Sequence, residues 1–514
     1  MRQKKYPALA LIAMTMLAFA ALPVFPQDQS PAAHAWVIRS VDFKITGVTR
    51  EYYLKQAADI EVGKSFADEE SLKAYVDDRS QLIKNQRAIE SVSIDVVYGE
   101  TAEDGTVPVD LHVTTKDTFN IIVLPYLKYD SNNGLDLSAR GRAYNFFGTL
   151  QPLAINLDYT NGVLRDSSGN AVQQWSLSST FMLPFRAGGL DWSWNFSQAG
   201  AYSVAQPFAY TATTSVTANL PLGPGTLAIT PSQVLNLNQQ YANATNTQYN
   251  YYSNALYYTT GLSLSYGIPL AQQVGRFGPL TYSPSVSLSS NWVPSGPLDS
   301  NLPGASFDIA HSVSFGRVDW IENLRSGLSA SLTNDNYLYV LTTIWARTLS
   351  FSLSGYALLF PPWLGASSRL TGFYRFDDTM SMGGSTLRGI LEARITTDAM
   401  VTLNVDFPVR VIHFVPSQWF GLSWMQYFEF DQVWSPFFDA AIGHFNGRYF
   451  HPSDGYYSGG IEVITFPLKF RSFFLRISAG WDIVAVLQNK SLSGPTQRDG
   501  QSMRELFIGT GMFY

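Results

Sequence analysis

The chain offers little for bond-making chemistry. Its six histidines, His34, His112, His311, His413, His444 and His451, are scattered. No Gly-x-Ser-x-Gly nucleophile elbow or His-Glu-x-x-His metal pair occurs. Cysteine is absent, so neither a disulfide framework nor a thiolate metal site can form. No catalytic residue, metal ligand or cofactor motif is assigned, although a dyad assembled from separate strands stays open. The residues that suggest a specific interaction are of another kind. Met382 to Ile390 reads Met-Gly-Gly-Ser-Thr-Leu-Arg-Gly-Ile. On its own this is a flexible loop with one cation, Arg388, whose guanidinium is permanently charged and presents a planar fork of donors. Two carboxylates further on fall on the inner side of alternating segments. In Val401 to Phe407, Val401, Leu403, Val405 and Phe407 oppose Thr402, Asn404 and Asp406. In Phe437 to Gly443, outward Phe438, Ala440 and Ile442 leave Asp439 inward.

What must position these residues follows from composition. Charged residues make up 14% of the chain, against roughly 25% in soluble proteins. Aromatics also reach 14%, with 28 Tyr, 33 Phe and 12 Trp. Mean hydropathy is −0.01, which excludes a helical membrane protein. Few charges, many rings and neutral hydropathy suit a barrel with one apolar and one wet face. The net charge of −6 and the lack of a basic stripe give nucleic acid no electrostatic footprint.

Residues 1–35 read as a secretory signal. Arg2, Lys4 and Lys5 precede the apolar stretch Leu9 to Val24, and the cleavage point is open, with Ala33-His34-Ala35 as one small-x-small candidate. A transmembrane anchor would need a run of ~20 residues. Residues 36–118 then mix periods. Val37 to Ile45 alternates, Glu51 to Ile60 and Asp68 to Arg87 have helical spacing, and Ser91 to Tyr98 and Val107 to Val113 alternate again. Asp68, Glu69 and Glu70 suit a helix N-terminus, where negative charge meets the dipole. The order is β-α-α-β-β, a small α+β domain.

From Phe119 helical periodicity vanishes. Segments such as Ala154 to Thr160 and Leu475 to Asp482 alternate apolar and polar, separated by Gly, Pro, Asn and Ser clusters. Sandwich strands run about 5–6 residues, whereas a membrane crossing takes about 9–11, and many segments here have the longer length. Residues 119–514 are therefore expected to form a 16-stranded antiparallel transmembrane β-barrel, chosen from roughly eighteen strand candidates on the view that some are hairpins standing above the membrane. Tyr and Trp cluster near segment ends, at Trp192 to Trp194, Tyr249 to Tyr252 and Trp419 to Trp424, as in interfacial girdles. Asn236 to Gln248 reads as an exposed loop. The last residue is aromatic, and Leu506, Ile508, Thr510, Met512 and Tyr514 share a face.

These features together resemble the BamA/TamA superfamily of outer-membrane assembly and translocation barrels. The motif residues Gly383, Gly384, Leu387, Arg388 and Gly389 match the family's lumenal loop, here 377–397. Ile390 stands where the family has an aromatic. Phe437, Asp439 and Gly443 resemble its Phe-x-Asp-x-Gly pattern with the glycine two residues late, and Gly459-Gly460-Ile461-Glu462 resembles a further segment. The resemblance implies a POTRA-type domain at residues 36–118 in the periplasm and a barrel in the cell outer membrane. It implies that Asp406 and Asp439 hold Arg388, either to act in function or only to stabilise the barrel. It also implies a lateral seam between the first strand, near Ile121 to Asp130 and including Tyr126, and the last, near Leu506 to Tyr514, where Gly509 and Gly511 lack side chains to pack. Partners would be unfolded outer-membrane or secreted client polypeptides, periplasmic chaperones or lipoproteins, and outer-membrane lipid. One POTRA-like domain departs from the family's larger sets, so insertion and dedicated two-partner-type secretion stay open. A passive porin, an outer-membrane enzyme and a surface antigen are the rival readings. The porin leaves the α+β domain and the Arg388 loop unexplained.

Overall fold

The computed structural model describes residues 35–103, 105–118, 121–130, 134–165, 171–204, 206–242, 249–272, 274–275, 277–340, 344–377, 381–391, 394–470 and 474–510. The leader, Gly511 and Tyr514 lie outside them.

The N-terminal unit comprises β1 (Ala35–Thr46), α1 (Glu51–Ala58), β2 (Ser65–Phe66), α2 (Glu69–Lys84), β3 (Ile89–Tyr98) and β4 (Thr106–Asp117). Its sheet runs β2-β1-β4-β3, with β1 parallel to β4 and the other pairs antiparallel. The two-residue β2, between the two helices and absent from the order expected from the sequence, only extends one edge. Asp68 caps α2, its carboxylate accepting from the Ser71 N–H at 2.6 Å. Both helices cover one sheet face. Leu72 and Val76 pack on Ile38, Val109 and Leu111, while Leu54 and Ala58 meet Ile83, Ile89 and Val113.

The wall follows as β5 (Ile121–Asp130), β6 (Gly134–Ala143), β7 (Leu153–Arg165), β8 (Ala171–Ala187), β9 (Leu190–Ser203), β10 (Gln206–Leu222), β11 (Gly225–Leu237), β12 (Leu256–Ala271), β13 (Leu280–Trp292), β14 (Ala305–Ile321), β15 (Leu324–Tyr339), β16 (Ile344–Phe360) and β17 (Leu364–Arg375). It finishes with β18 (Ala399–Asp406 and Val409–Phe414, one strand broken at Pro408), β19 (Phe430–Phe445), β20 (Tyr456–Pro467), β21 (Leu475–Asp482) and β22 (Arg504–Thr510). Among the described residues these strands close into an antiparallel barrel. The class is the expected one; with the broken strand counted once and the two-residue Arg448–Tyr449, which pairs only with the end of β19, set aside, the described ring has eighteen strands rather than sixteen. The reason is that alternation marks a strand without saying whether its hairpin crosses the wall. One short ladder does stand apart from it, pairing Gln240–Ala242, inside the stretch read as a loop, with Tyr249–Tyr251 just beyond it.

Burial is inverted relative to a soluble protein. In β18 Leu403 is 38% exposed while Asn404 is 1%. In β21 Leu475 and Ile477 are exposed while Arg476, Ser478 and Asp482 are buried. Leu262, Leu264, Val286, Leu288, Trp434 and Phe438 extend the outward apolar surface. Such a belt is stable only against lipid. No described helix is long and apolar enough to cross a membrane.

The small domain docks on the short-turn end of the barrel. Arg50 N–H donates to the Gly148 carbonyl at 2.9 Å. Gly148 (φ +74°) has no room for a side chain, since a Cβ there would lie 2.1 Å from the Val48 carbonyl oxygen. Tyr52 donates to Asp191 at 2.8 Å and Tyr53 to the Pro184 carbonyl at 2.6 Å. Partial burial, then the Asp191 carboxylate, push the Tyr52 hydroxyl up to about 12, so it remains a donor across the physiological range. Farther round the ring, Asn85 donates to Asp319 at 2.8 Å and accepts from Trp320 N–H at 3.0 Å, and Thr118 donates to the Lys469 carbonyl at 3.0 Å. These contacts involve the β6–β7, β8–β9, β14–β15 and β20–β21 ends, which sit on opposite sides of the ring, so the domain bridges the mouth. Because the chain has no native cysteine, Asn85→Cys with Asp319→Cys should be joined by a short bismaleimide. Asn85→Cys with Asp191→Cys, on the far side of the mouth, should not. Gel mobility reads the result, and equal yields from both pairs would disprove the bridge.

Candidate functional site: a lumenal arginine clamp

The connection between β17 and β18 leaves the wall at Phe376 and returns at Asp398. Ser381–Met382 pairs with Thr396–Thr397 to make its neck. Beyond the neck the chain folds inward. Leu387, Arg388 and Ile390 are almost fully buried. Leu387, Ile390 and Ile395 pack with Met400, Ala441, Phe445 and Tyr456 in one apolar cluster. Ile390 therefore occupies the position after Gly389 as an aliphatic plug against two rings rather than as a ring itself.

Arg388 sits at the tip. Its Nη1 donates to Asp406 Oδ1 at 2.5 Å, its Nη2 to Asp439 Oδ1 at 2.7 Å and its Nε to Asp439 Oδ2 at 3.0 Å. The Arg388 backbone N–H also donates to Asp439 Oδ2, at 2.8 Å. Asp439 thus accepts a forked pair and a main-chain bond, fixing both the head and the loop backbone. The guanidinium lies 3.9 Å from the centroid of Phe437. Solvent is nearly excluded, with Arg388 4% and Asp439 0% exposed. Charge-assisted, bidentate bonds are the strong kind, and here they replace most of the water around the groups.

Local sequence makes this geometry possible. Gly389 has φ +87°, and a Cβ on it would lie 2.6 Å from the carbonyl carbon of Gly480. A Cβ on Gly480 would lie 2.8 Å from the Gly389 nitrogen. Two glycines therefore let the loop backbone lie directly on the β21 backbone. Gly383 is likewise tight against the Met400 side chain, and Gly384 is buried in the short 3-10 turn Gly384–Thr386.

The clamp belongs to a larger charged layer. Glu462 of β20 is 3.8 Å from Arg388 Nη1 and 3.5 Å from Arg476 Nε. Arg476 of β21 stacks 4.0 Å from the centroid of Phe507, on β22. Gly389 N–H donates to Glu505, also on β22, at 2.9 Å. A second arginine of the loop, Arg394, donates to Asp482 and Asp499, each at 2.7 Å. Asp482 in turn caps the short helix Ile483–Asn489 through Ala485 N–H. Below the clamp a cavity is lined by Arg325, Tyr356, Ser367, Ser435, Glu462 and Phe466.

Of the residues singled out from sequence, the structure brings Arg388, Asp406 and Asp439 together. Sequence reasoning did not assign Glu462, Arg476, Glu505, Arg394, Asp482 or Asp499 to the site. Alternation in Leu475 to Asp482 had already set Arg476 and Asp482 on the face opposite the apolar one, so an inward charge pattern on β21 was available as a signal. Nothing local marks Arg394 and Asp499, which meet only through the fold. At the proposed seam, β5 and β22 pair at Phe507↔Asp130 and Ile508↔Tyr129 among the described residues. By contrast β21 and β22 pair from Leu475↔Thr510 to Trp481↔Arg504. Ile121 pairs with Ala143 and Tyr126 with Ser138 on the far side of β5. Gly509 lies opposite Arg476.

No family model matches the chain and no curated protein sequence matches it. Among solved structures it is similar to BamA from Haemophilus ducreyi lacking POTRA domains 1–3, with 13% identity, 99% of this chain and 94% of that one covered, and a TM-score of 0.36. It is similar to CdiB from Acinetobacter baumannii, with 11% identity, 92% and 73% covered, and a TM-score of 0.47. For CdiB from Escherichia coli the values are 9%, 99% and 99%, and 0.40.

Proposed function

We propose that the protein is an outer-membrane assembly or polypeptide-translocation barrel, handling unfolded client chains through a lateral seam and a clamped lumenal loop. The observation that carries this is the joint tie of the 376–398 connection. Arg388 binds Asp406 and Asp439 on β18 and β19, while Gly389, the next residue, binds Glu505 on the seam strand β22. One loop thus holds the wall and the seam edge in a single arrangement. In this reading the small domain faces the periplasm and the long connections face outward. The acting elements are binding and conformational, and the protein is not an enzyme.

The seam supplies the second support. If β5 and β22 part, their N–H and C=O groups face lipid, where each unmet group costs several kcal/mol. A client strand satisfies them by β-augmentation. In this reading the wall opens where β22 meets β5, at Phe507↔Asp130 and Ile508↔Tyr129 among the described residues. The outer edge of β3, unpaired among the described residues, offers a similar strand-pairing site for a client in the periplasm, with chaperones or lipoproteins as further partners. A passive porin fits less well, because the loop fills part of the lumen and the domain bridges the mouth. Dedicated secretion and general insertion share the same geometry, and their clients distinguish them.

Two outcomes are expected. Arg388→Ala leaves Asp439 and Asp406 buried without their cation, which costs about 3–5 kcal/mol in such surroundings. The loop should become cleavable by external protease and client handling should fall. Arg388→Lys keeps the charge without the fork and should recover only part of both. A cleavable loop with full activity would reduce the clamp to a structural part. Tyr129→Cys with Ile508→Cys should oxidise across the seam, leave the barrel folded by heat-modifiable migration, and abolish client insertion in proteoliposomes until reduced. Undiminished activity when oxidised would remove the seam from the mechanism. Loss of many barrels on depletion would identify a general insertase, and loss of one secreted protein a dedicated transporter.

A further inference from the structure

The β18–β19 connection does not resemble the other turns at its end of the barrel. Between Phe414 and Phe430 it makes a five-residue helix, Pro416–Phe420, and a 3-10 segment, Ser423–Phe428. From Val415 to Phe428 it holds no charged residue. Trp419, Phe420, Leu422, Trp424, Tyr427 and Phe428 are each more than a third exposed. In a connection facing water, so many large apolar groups would be costly to leave uncovered.

The direction of the segment is set by ring contacts. In β19 the buried residues Asp431, Val433 and Ser435 face inward, so Phe430 and Trp434 face outward. Phe414 pairs with Phe430 across the strands and its ring is 5.3 Å away on the same outer side. Trp419 packs edge-on against Phe414 at 5.2 Å. The helix therefore folds onto the outside of the barrel rather than under its mouth. Val411, Ile412 and Trp434, all exposed, continue the same surface up the wall. At the other end Tyr427 reaches Phe470, in the β20–β21 turn, at 6.3 Å. Some of the polar groups are tied to the segment or its neighbours, while Gln418 and Ser423 stay exposed. Ser417 donates to Glu429, whose carbonyl accepts from Leu468 N–H at 2.9 Å, and Gly421 N–H returns to the Ser417 carbonyl at 2.9 Å. The face left over is apolar and indole-rich, and it is continuous with the lipid-facing belt.

We propose that residues 415–428 form an interfacial wedge, embedded among the headgroups and upper acyl chains of the phospholipid leaflet on the small-domain side. It differs from a girdle of strand-end rings because here the backbone itself leaves the wall and lies in the interface. Indole and phenol groups favour that depth, where an apolar body and a polar tip are both satisfied, and a short uncharged segment with one apolar face lies in the interface without spanning. The wedge would fix the height of β18 and β19, which carry the two acids of the clamp. The inference needs the barrel to be in a bilayer and does not depend on what clients it handles.

The test uses single cysteines in the full chain. Phe420→Cys and Trp424→Cys, labelled with bimane, are reconstituted in phosphatidylcholine vesicles with and without acyl-brominated lipid. Gln272→Cys, exposed in another turn at the same end, is the reference. Bromolipid should quench the two wedge labels several-fold more than the reference, and aqueous iodide should quench them several-fold less. If Phe420→Cys or Trp424→Cys fails to fold, Gln418→Cys and Ser423→Cys carry the label at exposed sites of the same segment. Iodide quenching equal to the reference would place the segment in water and overturn the proposal. Protection from both quenchers would overturn it too, by pointing to cover from a second copy of the chain.

Discussion

A guanidinium sealed inside a barrel wall has almost no water to return to, and the lumenal half of this protein is arranged around that fact. Arg388 is held by two carboxylates on neighbouring strands and by a ring beneath it. Removing the arginine leaves two buried carboxylates without their cation, and removing either acid takes acceptors from a fork that water barely reaches. The loop therefore has one low-energy position, and the strands that supply Asp406 and Asp439 must keep their register to preserve it. A slip of one residue between β18 and β19 would turn an acid outward into lipid. The clamp thus fixes the register of the wall as much as the wall fixes the clamp.

The same inversion explains what was legible from the sequence. In β18 each second residue is polar, and only a wet or charge-paired interior makes Thr402, Asn404 and Asp406 compatible with outward Leu403. Period two was enough to assign the face of each acid, since a strand offers only two. It was not enough to count the strands. A hairpin above the membrane and a hairpin in the wall have the same alternation, and the difference lies in pairing with neighbours far along the chain. In the small domain, Asp68 announced the start of α2 because its cap is local, whereas the two residues of β2 are recognisable only beside Trp36 and Val37.

What the sequence concealed at the site was of the same non-local kind. Arg394 lies in the loop with Arg388 but has no glycine motif around it, and its acids, Asp482 and Asp499, flank the β21–β22 connection. Gly480 carries no chemistry of its own, and its role is visible only because Gly389 rests on it. Conversely Ile390 looked like a gap in a ring-bearing motif, yet the ring function is met from the wall by Phe437, beneath the cation, and by Phe445 and Tyr456 around the loop.

The placement of these ties gives the wall an internal asymmetry. The loop touches β18, β19, β21 and β22 and the acid of β20 approaches its cation, so the final third of the barrel is cross-braced from within. The first strand, β5, pairs with β22 at Phe507↔Asp130 and Ile508↔Tyr129 among the described residues. In the proposed mechanism β5 parts from β22 at the pairing of Asp130 and Tyr129 with Phe507 and Ile508. The ties of Arg388 to β18 and β19 and of Gly389 to β22 all lie on the β22 side of that break. Opening there would cost backbone hydrogen bonds, which an incoming strand can replace, and would leave the desolvated ion pairs made.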